Sequence, residues 1–481
     1  PRVRLEVVTR GRSSSSGAAV RSAFVPGWGQ LVTNRIVLGK SLVFATGLLV
    51  IAGLTVFLFV EPIELAAWIA NPDVLLGIVL ANLAFAVIRL LSTSHAWVVG
   101  GGHRWLVLVV LAVFVAIPHA AIAWVGLETR DSLMKVFPRE APIVAASPPE
   151  TVGPTTTTTL ATTTTTLVTT TTEASTTTTF ATTTTTEPPD DPLWQPFGED
   201  RLNILLLGGD AGPRRSGLRT DTMIVASIDP VSGDTALIGI PRNFGGVTLK
   251  DGSEVPVEIL NAVYGWGERH PDRFEGPDPG ASATQDAVEN ITGLEIDYYM
   301  LVDLTGFADL VDAFGGVHIA VPQAVDGPLY DPETGDYEMV RIEAGEQFLD
   351  GGHALAYARV RHDSTDYVRM GRQRCLLAAM AHDADPLQLV TRLGDLLAVV
   401  ETHMTTDVPI DLVPELIRLA PQISSNEIRV IGFDAKWRVG RTADGAAVPD
   451  IERIRQAVRM TIEEPGSASD VGATTAGAAC G

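Results

Sequence analysis

The stretch DYYMLVDLTGFADLVDAFGGVHIAVP, residues 297–322, changes period twice within twenty-six positions. DYYMLVDL (297–304) reads as a strand, TGFADLVDAFGG (305–316) as a helix closed by Gly315 and Gly316, and VHIAVP as another strand. Working outward, NILLLG (203–208) is a short buried strand, and TMIVASID (222–229) and TALIGIP (235–241) flank a turn at PVSGD and pair. GASATQDAVENITG (280–293) has helical spacing and ends at a glycine. VRMGRQRCLLAAMAHDA (368–384) and DLVPELIRLAPQI (411–423) read as further helices, and EIRVIGF (427–433) as a strand. Helices packed on a sheet, an α/β (α+β) class, are expected over residues 195–465, with a flexible tail at 466–481.

Upstream the composition changes. Mean hydropathy over the 481 residues is positive. SLVFATGLLVIAGLTVFLFV (41–60) carries no charge and is long enough to cross a hydrocarbon core of about 30 Å. Two more spans are expected at 74–91 and 105–126, where Asn82 and His119 read as hydrogen-bonding groups between helices. Arg2, Arg4, Arg10, Arg12, Arg21, Arg35 and Lys40 precede the first span, whereas the first loop holds Glu61, Glu64 and Asp73. The positive-inside rule puts residues 1–40 in the cytoplasm and everything after 127 outside the cell membrane. Residues 127–194 form an extracytoplasmic linker in which runs of Thr from Thr151 to Thr186 can build no core. Fully stretched, some forty such residues reach on the order of 130 Å, so the linker suggests a domain working at a distance from the membrane.

The net charge of −22 argues against nucleic acid as a partner. Two cysteines, Cys375 and Cys480, exclude a disulfide-dense scaffold and a multi-cysteine zinc site; the sequence leaves their pairing open. Against this acidic background YARVRHDSTDYVRMGRQR (357–374) gathers Arg359, Arg361, Arg369, Arg372 and Arg374. Arg369, Arg372 and Gln373 stand at i, i+3 and i+4 of a helix, and Arg359 and Arg361 share a side of an extended segment. Guanidinium groups bind phosphate through planar forks, and several are needed to hold two linked phosphates. GGDAGPRRSGLRTDT (208–222) places Asp210 and Asp221 in a glycine-rich loop at strand ends, with Arg219 beside them and Arg242 just past the next strand. Two carboxylates without His or Cys suit a hard cation, Mg²⁺ or Mn²⁺. No P-loop and no GxSxG elbow occurs.

NILLLGGD, RTDTMIVASIDP, LIGIPRN, YYMLVDLTGFADLVDAFGGVHIAVP and AGEQFLDGGHALAYARVRHDSTDYVRMGRQR, in this order, resemble the LytR-CpsA-Psr family of bacterial envelope enzymes. The resemblance implies a central mixed sheet flanked by helices, with an apolar pocket for a lipid tail. It also implies a phosphotransferase that moves a glycopolymer from a polyprenyl diphosphate carrier to a peptidoglycan sugar hydroxyl. By motif, Asp210 and Asp221 would hold Mg²⁺, while Arg219, Arg242, Arg359, Arg361, Arg369, Arg372 and Gln373 would grip the diphosphate. Arg242, Arg359 and Arg361 would stabilise charge in the reaction; Asp366, or a metal-bound carboxylate, would be the base. Asn243 stands where the family usually has Asp. A polyprenyl diphosphate hydrolase and a non-enzymatic envelope binder or regulator are the alternatives.

Overall fold

The computed structural model describes residues 15–102, 105–139, 201–210, 218–274, 276–330, 337–360, 365–384 and 391–480. The chain opens with α1 (Ser15–Phe24), α2 (Trp28–Val32), α3 (Ile36–Phe59), α4 (Pro62–Ala70), α5 (Pro72–Val99) and α6 (Trp105–Val136). Helices α3, α5 and α6 are long and apolar enough to cross a membrane. Between them the polar groups are paired with each other: His119 Nδ1 lies 2.7 Å from Asn82 Oδ1, and Asn82 Nδ2 donates to the His119 carbonyl at 2.9 Å. Arg89 Nη1 lies 3.1 Å from the other imidazole nitrogen. In hydrocarbon such groups are costly unless paired, which is the interhelical role expected of them.

After the Thr-rich segment, which lies outside the described residues, come β1 (Leu202–Gly209), β2 (Thr220–Ile228), β3 (Thr235–Gly239), α7 (Val263–Gly267), α8 (Pro279–Thr292), β4 (Tyr298–Asp303) and α9 (Leu304–Phe314). Then follow β5 (Val317–Val321), β6 (Val325–Tyr330), β7 (Tyr337–Ile342), β8 (Gly345–Leu349), α10 (Gly351–Arg359), α11 (Asp366–Asp383), α12 (Leu393–His403) and β9 (Met404–Thr406). The chain closes with α13 (Val413–Ser425), β10 (Arg429–Gly432), β11 (Arg438–Arg441), β12 (Ala447–Pro449), α14 (Ile451–Glu463), β13 (Thr474–Thr475) and α15 (Ala476–Cys480).

Seven strands form a mixed sheet in the order β13-β10-β3-β2-β1-β4-β9. Strand β1 pairs antiparallel with β2 and parallel with β4, and β3 pairs parallel with β10. Side chains alternate between the two faces of a strand, and β2 is apolar on both because both are covered. Met223 and Val225 enter the larger core with Ala281 and Ala287 of α8 and Ile454 and Ala457 of α14. Ile224 and Ala226 pack on the opposite face, with Ala378 of α11. The strand-helix-strand reading of 297–322 corresponds to β4, α9 and β5: Asp303 caps α9 by accepting from Gly306 N, and Gly315 ends it at φ 96°.

Two expectations are corrected. The tail is packed: β13 pairs antiparallel with the edge strand β10, Ala468 and Ala473 enter the larger core, and Cys480 is disulfide-bonded to Cys375 of α11 across 105 residues. Its small apolar side chains fill an edge that would otherwise expose strand hydrogen bonds. We expect Cys480→Ser to lower the unfolding free energy by about 2–4 kcal/mol, because the bridge closes a long loop in the unfolded chain. Thermal unfolding with and without reductant, which should leave the variant unaffected, measures it.

The second correction concerns distance from the membrane. Helix α6 continues ten residues past the expected span end at 126, to Val136. Leu133 and Phe137 pack with Leu397, Val408 and Ile410, and Ile410 N donates to the Pro138 carbonyl at 2.7 Å. Lys135 pairs with Glu401 at 3.0 Å, and Arg418 of α13 with Glu64 of α4 at 3.0 Å. The globular domain is therefore seated on the ends of the membrane helices, because the apolar end of α6 finds more burial there than in water.

At the β4–β9 edge, buried Asp407 accepts from Tyr299 N at 2.7 Å. Burial pushes its carboxyl up to about 6, against the bonds it accepts from backbone and from Gln285. Folding thus favours the protonated form: this contribution is fully present below the ordinary Asp value of about 3.9 and lost as pH rises through about 6. Asp407→Asn is expected to be more stable than the parent at pH 7.5, by up to roughly 3 kcal/mol, and equal to it near pH 4. Denaturant titrations at both pH values check this.

Candidate functional site

The centre of the site begins with a break in strand pairing. Gly208 faces Thr222 and Gly209 faces Thr220, so Asp221 is the extra residue of a β-bulge. Bulges re-aim a side chain where the ladder ends. Here Asp221 Oδ1 accepts from Arg242 Nη1 at 2.6 Å and from Asn261 Nδ2 at 2.9 Å. Arg242 follows β3 by three residues; its carbonyl accepts from Asn261 N at 3.0 Å, which fixes the loop carrying both. Its Nε donates to Asp366 Oδ2 at 3.2 Å. Asp366 opens α11, and its other oxygen is 2.9 Å from Arg369 Nη2, which also donates to the Asp221 carbonyl at 3.3 Å. Asp221, Arg242, Asp366 and Arg369 thus form one interlocked ion-pair set built from three separate segments.

The set is preorganised. Arg369 is 3% exposed. Burial works against the Arg242 charge, but the hydrogen bonds and charges of Asp221 and Asp366 outweigh it and hold Arg242 above its ordinary value. Burial likewise pushes the Asp221 carboxyl up, yet bonds from Arg242 and Asn261 and the charges of Arg242 and Arg369 leave it below the usual range. Its stabilising contribution is therefore present above the ordinary Asp value and lost only as pH falls through its lower folded value. Two nitrogens of Arg242 are spent on carboxylates, and among the described residues no group accepts from Nη2. That leaves a fixed cationic donor for an anion.

The other candidates are placed differently. Asp210 directly follows β1, with its N donating to the Arg219 carbonyl at 2.9 Å, and Arg219 is exposed at the same strand end. Arg372 Nη1 donates to the Val360 carbonyl at 3.0 Å and the guanidinium lies over Tyr357 at 5.6 Å. Gln373 Nε2 is 3.5 Å from the Ala358 carbonyl. Arg359 ends helix α10 and lies 5.0 Å over the ring of Tyr337. The expected extended segment at Arg359 is thus corrected to a helix end, and Arg361 lies outside the described residues. Arg374, the fifth arginine of the cluster, turns inward. Its guanidinium packs on the backbones of Gly239 and Gly432, where a Cβ on either would collide with it, and burial pushes it down to about 10.

Among the described residues no three His, Cys, Asp or Glu gather to hold a metal. Asp210 directly follows β1 and Asp221 lies at the start of the paired strand β2. Asn261 was not singled out in the sequence; a polar residue inside the apolar run ILNAVYG is the signal that marks it.

Two cavities lie in the domain, and the smaller has chain neighbours of the ion-pair set in its wall. One of about 500 Å³ has Leu218, Leu301 and Met404 in its wall together with Glu268, Arg269, Asp303 and His403. Met404 also packs against the apolar cluster that seats α6. The other, about 380 Å³, opens beside Asn243 and Tyr367.

The LytR_cpsA_psr family model matches residues 160–459. A protein of Halalkalibacterium halodurans named polyisoprenyl-teichoic acid–peptidoglycan teichoic acid transferase TagU is 30% identical over 221 residues, covering 45% of this chain and 64% of that protein. TagU of Bacillus subtilis is 26% identical over 261 residues, 53% of this chain and 77% of its own length. The chain thus spans just under two thirds of the first of these relatives. The crystal structure of B. subtilis TagV is 24% identical, covers 55% of this chain and 98% of its own, and superposes with a TM-score of 0.41.

Proposed function

The chain belongs to the LytR_cpsA_psr family, and from that premise we propose that it is a phosphotransferase of wall assembly, moving a glycopolymer from a polyprenyl diphosphate carrier onto a peptidoglycan sugar hydroxyl. The observation that carries this reading is the interlocked set of Asp221, Arg242, Asp366 and Arg369, with Arg242 Nη2 left to meet an anion. The relatives named above are teichoic acid transferases; for this chain the polymer is taken only as a glycopolymer.

Phosphoryl transfer asks for positioning and charge neutralisation more than for covalent chemistry. The acceptor oxygen attacks the phosphorus that bears the polymer, the P–O bond to the prenyl phosphate breaks, and prenyl monophosphate leaves with the electron pair. Arg242 and Arg369, locked by their carboxylates, stabilise the charge building on the phosphate oxygens without having to reorganise. Asp366 is the candidate for the hydroxyl proton. Asp210 and Asp221 would hold Mg²⁺ or Mn²⁺, which when bound neutralises diphosphate charge. The larger cavity mixes apolar Leu218, Leu301 and Met404 with polar Glu268, Arg269, Asp303 and His403, and the prenyl chain would lie along its apolar side, where Met404 also packs in the membrane-side cluster. The charge bias of the loops supports a position for the domain on the outer face of the cell membrane.

The test uses the full chain in detergent with a polyprenyl diphosphate-linked glycopolymer, with and without peptidoglycan fragments. Phosphodiester-linked polymer on the fragments is the expected product. Free polymer or phosphate in both reactions would indicate a hydrolase, and no turnover with retained binding would indicate a non-enzymatic binder.

A further inference from the structure

Two of the arginines expected to meet the diphosphate are held unlike Arg242 and Arg369. Among the described residues no carboxylate or carbonyl accepts from Arg359, which ends α10. Its guanidinium lies instead 5.0 Å over the ring of Tyr337. Arg372 lies 5.6 Å over Tyr357, and its Nη1 donates to the carbonyl of Val360, the residue after Arg359. The two cation–π pairs thus stand where α10 meets α11, the helix that carries Asp366 and Arg369. Tyr337 comes from outside this helix pair. It opens β7, whose pairing with β6 runs from Val325 opposite Ile342 to Tyr330 opposite Tyr337. The hairpin rests on α10: Gly327 lies against the Ala356 carbonyl, where a Cβ would collide, and Val340 and Ile342 pack in the core that includes Ala354 and Ala356. Tyr337 is 52% exposed, so core packing does not account for an aromatic at that position.

A carboxylate and an aromatic ring orient a guanidinium in different ways. A carboxylate takes N–H donors from the planar edge and offsets the charge, as Asp221 and Asp366 do for Arg242. A ring meets the face of the group through its quadrupole and leaves the edge donors and the charge for another partner. We propose that Tyr337 is a positioning residue of the donor site: its ring fixes the plane of Arg359 so that the in-plane donors stay open for the oxygens of the donor diphosphate. The proposal rests on the transferase reading. Tyr337 acts through Arg359, by lowering the cost of ordering a long side chain when the diphosphate arrives.

Binding of geranylgeranyl diphosphate to the full chain in detergent is measured by calorimetry, with polymer transfer assayed in parallel. Tyr337→Leu and Tyr337→Gln both remove the ring, one leaving an apolar side chain and the other a polar one. Each should weaken diphosphate binding by about threefold to tenfold, the range of a partly exposed cation–π contact. Tyr337→Phe keeps the ring and should bind as the parent does. In an Arg359→Ala background Tyr337→Leu should change nothing further, because the ring then has no guanidinium to hold. Melting curves of every variant show that substitutions at this half-exposed position leave the fold intact. Parental affinity in both variants that lack the ring overturns the proposal. So does an equal loss in the Arg359→Ala background, which would mean that Tyr337 acts without Arg359. A Tyr337→Phe variant as weak as Tyr337→Leu also overturns it, since the hydroxyl rather than the ring would then be responsible. A parent that binds the diphosphate but transfers no polymer would count against the transferase reading and leave the binding cycle to decide on Tyr337; a parent that binds no diphosphate overturns both.

Discussion

Asp221→Ala is expected to lower polymer transfer by about 10²–10³-fold, the range found when one preorganised charge-stabilising partner is removed. The carboxylate anchors Arg242 and Asn261 at once, and its own carbonyl receives Arg369. Without it Arg242 keeps only Asp366 and can swing toward that side, so the donor phosphate meets a guanidinium in the wrong place. Because Arg242 and Asp221 are each about one fifth exposed, solvent screens the loss, and the stability cost is set at roughly 1–3 kcal/mol. Asp221→Asn separates shape from charge. It keeps an acceptor for Arg242 but removes the negative charge and, on the proposed reading, a metal ligand, so it should be as inactive as alanine while melting closer to the parent. Transfer kinetics and melting curves on both variants decide the matter, and an alanine variant with parental turnover would remove Asp221 from the mechanism.

Arg242→Lys should also cost about 10²–10³-fold, although it preserves the charge. Arginine bridges Asp221 and Asp366 with two nitrogens and presents a third. A lysine ammonium is a single point with no planar fork and cannot do both. Transfer with the donor varied gives the split: kcat should fall more than KM rises, because the lysine still attracts the diphosphate but no longer holds the developing charge. The two substitutions touch one ion-pair set, so their combined effect should fall well short of the product of the separate ones. Strict multiplicativity would mean that Arg242 and Asp221 act independently.

Much of the fold was legible because the strands and helices switch period cleanly. Residues 297–322 carry a strand, a cap, a helix, a glycine stop and a strand in sequence. The candidate site was legible in part. Asp221, Arg242, Asp366 and Arg369 were singled out from local motifs, but their partnership depends on a bulge that no local pattern announces. Helical spacing placed Arg369, Arg372 and Gln373 on one face, yet only Arg369 reaches the ion-pair set; Arg372 and Gln373 bond carbonyls at the end of α10 instead. Arg374 illustrates the limit differently. Its inward turn is permitted by glycines on β3 and β10, two strands that are distant in sequence and adjacent only in the sheet. The packed tail and the seat on α6 were invisible for the same reason: both depend on which distant apolar surfaces meet.

That seat has a consequence for where in the envelope grafting would occur. The domain is fastened at Pro138, before the threonine runs begin, so their contour length does not govern how far the reaction centre stands from the bilayer. A domain of this size has a radius of gyration of about 18 Å, so while it stays seated only the innermost glycan strands come within reach. On the transferase reading, polymer would be stitched to the layer of wall laid down last and carried outward as newer layers form beneath it.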